Sequence, residues 1–68
     1  MTILPDIKKI QILRIKKGLS RHGLSKKAGL SKYAVSRLEK GLTNPTPKTA
    51  KAIADALEVD FDEIFKIV

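Results

Sequence analysis

Apolar side chains recur along this chain at intervals of three and four, interrupted by glycine or proline, and nowhere alternate for long enough to specify a strand. Ile7, Ile10 and Leu13 fall at helical spacing after Pro5 and Asp6, which suit a first helical turn, and Gly18 ends the segment. Ser20 is placed to cap a second helix, with Leu24 and Ala28 facing inward and Gly29 closing it. Ser31 is placed to cap a third, over 32–40, which Gly41 terminates through the left-handed conformation that glycine tolerates. The turn residues of "LTNPTP" predict a loop, with Thr46 as N-cap and Pro47 as first residue of a fourth helix. Ala50, Ile53, Ala54 and Leu57 then mark one buried stripe. In "VDFDEI", Asp60 and Glu63 have the spacing of a capping box, and Val59 and Ile64 that of a hydrophobic staple. A short fifth helix, about 60–67, should follow. The pattern predicts an all-α fold: one domain over 1–68, built as a five-helix bundle without strands.

The charge is unevenly placed on this scaffold. Fourteen Lys plus Arg against seven Asp plus Glu give +7 in 68 residues, but 1–41 hold eleven cations and two anions (+9), and 42–68 three cations and five anions (−2). One part of the domain suits a polyanion and the other does not. There is no cysteine, which excludes a disulfide framework and a thiolate metal site. No apolar run is long enough for a membrane span and the first residues lack a signal-peptide pattern, so the expectation is an intracellular, cytoplasmic protein.

The third helix is two-faced. On a wheel, Lys32, Tyr33, Ser36, Arg37 and Lys40 share an arc of roughly 140°, with Ala34, Val35 and Leu38 opposite. The outward arc offers ammonium, guanidinium, hydroxyl and phenol groups and no carboxylate, the chemistry that reads base edges or holds phosphates. The preceding segment, 21–28, joins it through the tight turn "AGLS", in which Leu30 can plug the angle between the two helices; the second helix's amide end beside Arg21 suits a phosphate.

"LSRHGLSKKAGLSKYAVSRLEKGLTNP" resembles the helix-turn-helix of the XRE family, the phage repressor and Cro type of DNA-binding domain. The likeness extends to "IQILRIKKGLS" before it and "PTPKTAKAIADALEVDFDEIF" after it. The helix-turn-helix itself spans about 20–41. The resemblance implies a repressor-like bundle whose second helix crosses the DNA backbone and whose third lies in the major groove, usually in a homodimer on a near-palindromic operator. It places base reading on Lys32, Tyr33, Ser36 and Arg37. It places phosphate contacts on Arg21, where the family commonly has glutamine, on Lys40, and on Thr43, Asn44 and the Gly41 amide of the following loop. It also implies a structural ion pair between Arg14 and Glu39. Two departures stand out: Gly23 inside the second helix, and Ser25 for the usual alanine at a crowded contact. Both are expected to loosen the motif.

Other residues have plainer readings. Tyr33 can read bases or simply pack its ring on a neighbour. His22 lacks a partner for a metal, and Lys8, Lys9, Lys16, Lys17, Lys26 and Lys27 suit general attraction to a polyanion. The acidic residues have capping and solvation roles, and no nucleophile with an adjacent base or glycine-rich phosphate loop is present, so neither catalysis nor a cofactor is expected. Phe61, Ile64, Phe65, Ile67 and Val68 crowd the C-terminal segment beyond what a small core needs, which predicts a two-fold interface there. The function expected is that of a sequence-specific DNA-binding transcriptional regulator, a repressor binding as a homodimer. The alternative is an antitoxin that masks a protein toxin and regulates its own operon.

Overall fold

The computed structural model describes residues 1–68 and contains five helices, α1 (Ile7–Lys16), α2 (Arg21–Lys27), α3 (Ala34–Glu39), α4 (Pro47–Leu57) and α5 (Phe61–Ile64). They enclose one core, of Ile10 from α1, Leu24 from α2, Val35 and Leu38 from α3, Ala50, Ile53, Ala54, Ala56 and Leu57 from α4, with Ile64 and Phe65 closing it. Leu30 packs against this core from the turn between α2 and α3, and Leu13, Leu19 and Val59 do so from its rim. The helices are short, so their stability derives from this shared burial rather than from helix propensity.

Local chemistry accounts for most of the helix ends. The Asp6 carboxylate accepts the Lys9 amide at 3.2 Å, the Ser20 hydroxyl accepts that of Gly23 at 2.9 Å, and the Thr46 hydroxyl accepts that of Thr49 at 3.3 Å, with Pro47 as first residue of α4. Gly29 and Gly41 take up φ of +72°, the left-handed turn that reverses the chain after α2 and after α3. The Leu30 amide then returns to the Ser25 carbonyl at 2.8 Å, and the Leu42 amide to that of Arg37 at 3.0 Å.

Four local expectations need correction. The chain does contain strands: β1 (Ile3–Pro5) pairs antiparallel with β2 (Phe65–Ile67), Ile3 facing Ile67 and Pro5 facing Phe65. The ladder continues at Thr2 and Val68, which exchange amide-to-carbonyl bonds of 2.7 and 2.8 Å. Pro5 therefore ends a strand instead of starting a helix; in this two-stranded sheet its missing N–H costs nothing. Second, α5 is a single turn, because Phe65 swings to φ −132°, ψ 148° to enter β2. Third, the capping box does not form: Asp60 makes no side-chain cap, and the Glu63 amide goes to the Asp60 carbonyl at 3.0 Å. Fourth, α3 starts at Ala34, after a turn in which the Ala34 amide meets the Ser31 carbonyl at 3.1 Å, and no side chain of its own segment caps it.

Candidate nucleic-acid interface

What fixes α3 lies behind it. The Glu39 side chain, only 1% exposed, receives Arg14 Nε at 2.8 Å and Nη2 at 3.2 Å, while Gln11 Nε2 approaches at 3.4 Å. Arg14 spends its remaining arm on the Leu19 carbonyl, at 2.9 Å. This single guanidinium therefore ties the end of α1, the approach to α2 and the last turn of α3 into one unit. A bidentate pair of this kind has little rotational freedom and orients the elements it joins.

The first turn of α3 is held from α2. Ser25 is fully buried, and its hydroxyl accepts the amide of Val35, also fully buried, at 3.1 Å. Helix starts leave unpaired amides, and here a neighbouring helix satisfies one of them. The expectation that Ser25 loosens the motif is thus reversed, since its hydroxyl supplies the side-chain cap that Ser31 does not. Gly23 has a local reason as well. A Cβ there would lie 3.1 Å from the Ser20 hydroxyl and 3.7 Å from Leu19 Cδ2, so glycine leaves room around the cap of α2.

With α3 held in this way, its outer surface presents the residues singled out above in two groups. Lys32, Tyr33, Arg37 and Lys40 are exposed and Ser36 is half-buried. Ser20, Arg21, His22, Tyr33, Ser36 and Lys40 line one surface depression of about 390 Å³, which joins the start of α2 to the outer face of α3. Arg37 belongs to a second, of about 330 Å³, shared with Ser31, Thr43, Asn44 and Thr46. Neither contains a carboxylate. Lys32, two residues before α3, lies beside His22, Lys26 and Leu30. The two depressions therefore offer cations, hydroxyls and an amide side chain, with the negative charge of Glu39 spent inside.

Some expected contacts are placed differently. The Gly41 amide is engaged by the Leu38 carbonyl at 3.1 Å, so this residue contributes a turn rather than a free donor. Lys17 and Lys27 face Glu58, at 2.8 and 4.0 Å, and are not free cations. Among the residues assigned to a subunit contact, Ile64 and Phe65 are core, 0 and 4% exposed, because β2 folds back on the bundle. Ile67 and Val68 stay exposed, and Phe61 and Ile67 line an apolar groove of about 680 Å³ with Met1, Ile3, Pro45 and Pro47. Ser25 is the residue whose part in the site was missed. The one available signal was a hydroxyl at a position where apolar packing was expected.

These features define a helix-turn-helix domain, and residues 10–64 match the helix-turn-helix family. The chain belongs to that family, in its XRE type, whose members are DNA-binding domains. It is also similar to the HTH-type transcriptional regulator SlrR of Bacillus subtilis (strain 168), with 37% identity over 57 residues. That alignment covers 82% of this chain and 38% of the relative, so the likeness concerns well under half of that protein's length. No helix is long and apolar enough to cross a membrane.

Proposed function

We propose that this chain is a sequence-specific DNA-binding transcriptional regulator that acts as a repressor, binding a near-palindromic operator as a homodimer with its two α3 segments about 34 Å apart in successive major grooves. The observation that carries the reading is the carboxylate-free surface of Lys32, Tyr33, Ser36, Arg37 and Lys40, presented by α3 and the turns at its two ends, with the back of the helix held by Arg14 and Ser25. Arg21, Lys40, Thr43 and Asn44 hold backbone phosphates on either side, and Lys32, Tyr33, Ser36 and Arg37 discriminate bases. The similarity to a transcriptional regulator supports the biological setting. Occlusion of a promoter is the simplest mechanism that such a domain can exert.

The second copy docks on the apolar groove beside β2. None of its lining side chains is charged, and most of them come from 42–68, the part that carries −2 rather than +9, so two copies approach there with little repulsion; it is continuous with exposed Ile67 and Val68. Ile67→Glu should yield a monomer by light scattering; an unchanged mass would remove this interface. Masking of a protein toxin is the competing use of the same groove, and a heterologous complex on purification would favour it.

The decisive experiment is selection of bound sequences from a random duplex library at about 150 mM salt, where general attraction to phosphate is weakened. Recovery of an inverted repeat supports a dimeric sequence reader. Recovery of unenriched DNA would reduce the α3 surface to a general polyanion site.

A further inference from the structure

Tyr33 is the largest apolar group on the outward arc, 51% exposed, and its ring has two neighbours. The His22 imidazole, from α2, meets it edge-on, with centroids 5.3 Å apart and planes at 72°. The Lys32 ammonium stands 5.6 Å from the ring centroid. An edge contact and a nearby cation both favour this orientation of the ring. The ring forms one wall of the depression that also contains Arg21 and Lys40, the two cations assigned to the backbone.

A half-exposed ring at the start of a major-groove helix has one suitable apolar target. Base pairs present donors and acceptors there, and their single apolar group is the C5 methyl of thymine. Resting on the reading that α3 enters the major groove, we propose that the Tyr33 ring reads a thymine methyl and that His22 is the positioning residue that holds the ring for it. Lys32 gains a second role, steadying the ring while its charge stays close to the DNA. His22 touches no base in this scheme and acts only through Tyr33.

Deoxyuridine provides the test, because it removes the methyl and leaves the pairing edge intact. In the selected operator each thymine is replaced in turn, and affinity is measured for the natural chain and for Tyr33→Ala, His22→Ala and His22→Phe. At one thymine per half-site the replacement should weaken the natural chain about fourfold, the worth of burying one methyl group. That difference should vanish in Tyr33→Ala, fall below about twofold in His22→Ala, and return in His22→Phe, which keeps an aromatic edge without a titratable group. A methyl effect undiminished in His22→Ala overturns the positioning role. Equal losses on operator and random DNA, with a shallower salt dependence, would make His22 a phosphate contact instead. An operator with no methyl-sensitive thymine defeats this inference alone, whereas failure to select any sequence defeats the base-reading function beneath it.

Discussion

The Ser25 hydroxyl and the Val35 amide meet at 3.1 Å in a place that solvent does not reach, and this one bond joins the two helices of the motif at the start of α3. A buried amide left without a partner costs about 1–3 kcal/mol. Ser25→Ala is therefore expected to lower stability by that amount in urea unfolding and to speed hydrogen exchange at Val35. Ser31→Ala should be close to neutral, because Ser31 makes no cap of its own. If Ser25→Ala proved neutral and Ser31→Ala became costly in its presence, the cap would have passed to Ser31 and the interhelical bond would be dispensable.

Arg14 and Glu39 make a different kind of link. Their side chains are 12 and 1% exposed, so removing one partner strands a charge in a poorly solvated site. Such truncations cost about 3–5 kcal/mol, whereas replacing both partners by apolar residues is often neutral. Glu39→Ala should accordingly be severely destabilising, and the Arg14→Met, Glu39→Leu double variant should recover most of the loss in denaturant titrations. The recovered protein is the more informative one. If the pair serves to orient α3, the double variant should fold well and still bind its operator more weakly than the natural chain.

The helical bundle was legible because apolar positions repeat at three and four, because α1, α2 and α3 stop at Gly18, Gly29 and Gly41, and because Pro47 opens α4. What escaped is long-range. Ile3 and Ile67 pair only because the bundle brings the chain's two ends together, and three-residue strands are too short to show a period of two. The same turn into β2 carried Phe65 inside, although a continued helix would have left it for a partner. Capping rules look three residues along the chain, so they favoured Ser31 and Asp60 and could not anticipate a cap from Ser25, on another helix. The outward position of Ser36 and Arg37 was legible for the opposite reason, since it needs only a helix and a buried opposite face, whereas Lys32, Tyr33 and Lys40, expected on the same helix, lie in the turns at its two ends.

Glu58 links acidity to the same scaffold. It ends α4 in the left-handed region, at φ 59°, while its carboxylate receives Lys17 at 2.8 Å and lies 4.0 Å from Lys27. The Lys17 hydrogen bond, then the charges of Lys17 and Lys27, hold its carboxyl below the usual 4.5. A lowered folded-state value means that the stabilisation is present above the ordinary carboxylate range and is lost as pH falls through the folded value. Glu58→Gln should thus be less stable than the natural chain near neutrality, and the two should converge in acid or in ~0.5 M salt, where exposed pairs are screened. Glu58→Gly gives up the same pair but relieves the backbone, so its melting temperature should exceed that of Glu58→Gln at every pH. The reverse order would show that the left-handed turn is unstrained.

The sorting of cations into readers and holders is testable at Arg37 and Lys26. Arg37 projects from α3 into the depression that Thr43 and Asn44 also line, and its guanidinium can span two acceptors of a guanine edge. Arg37→Ala should cost about 1–3 kcal/mol on the operator and far less on random DNA, with relaxed preference at one or two positions. Lys26 sits near the end of α2, in a depression shared with His22, Leu30 and Lys32, and is assigned to phosphate because it belongs to α2 and not to the recognition segment. Lys26→Ala should therefore weaken all sequences alike and reduce the salt dependence by roughly one ion. Binding isotherms across a salt series separate the two behaviours. An Arg37→Ala variant that lost affinity equally on both DNAs would hold phosphate only, and base reading would then rest on Lys32, Tyr33 and Ser36.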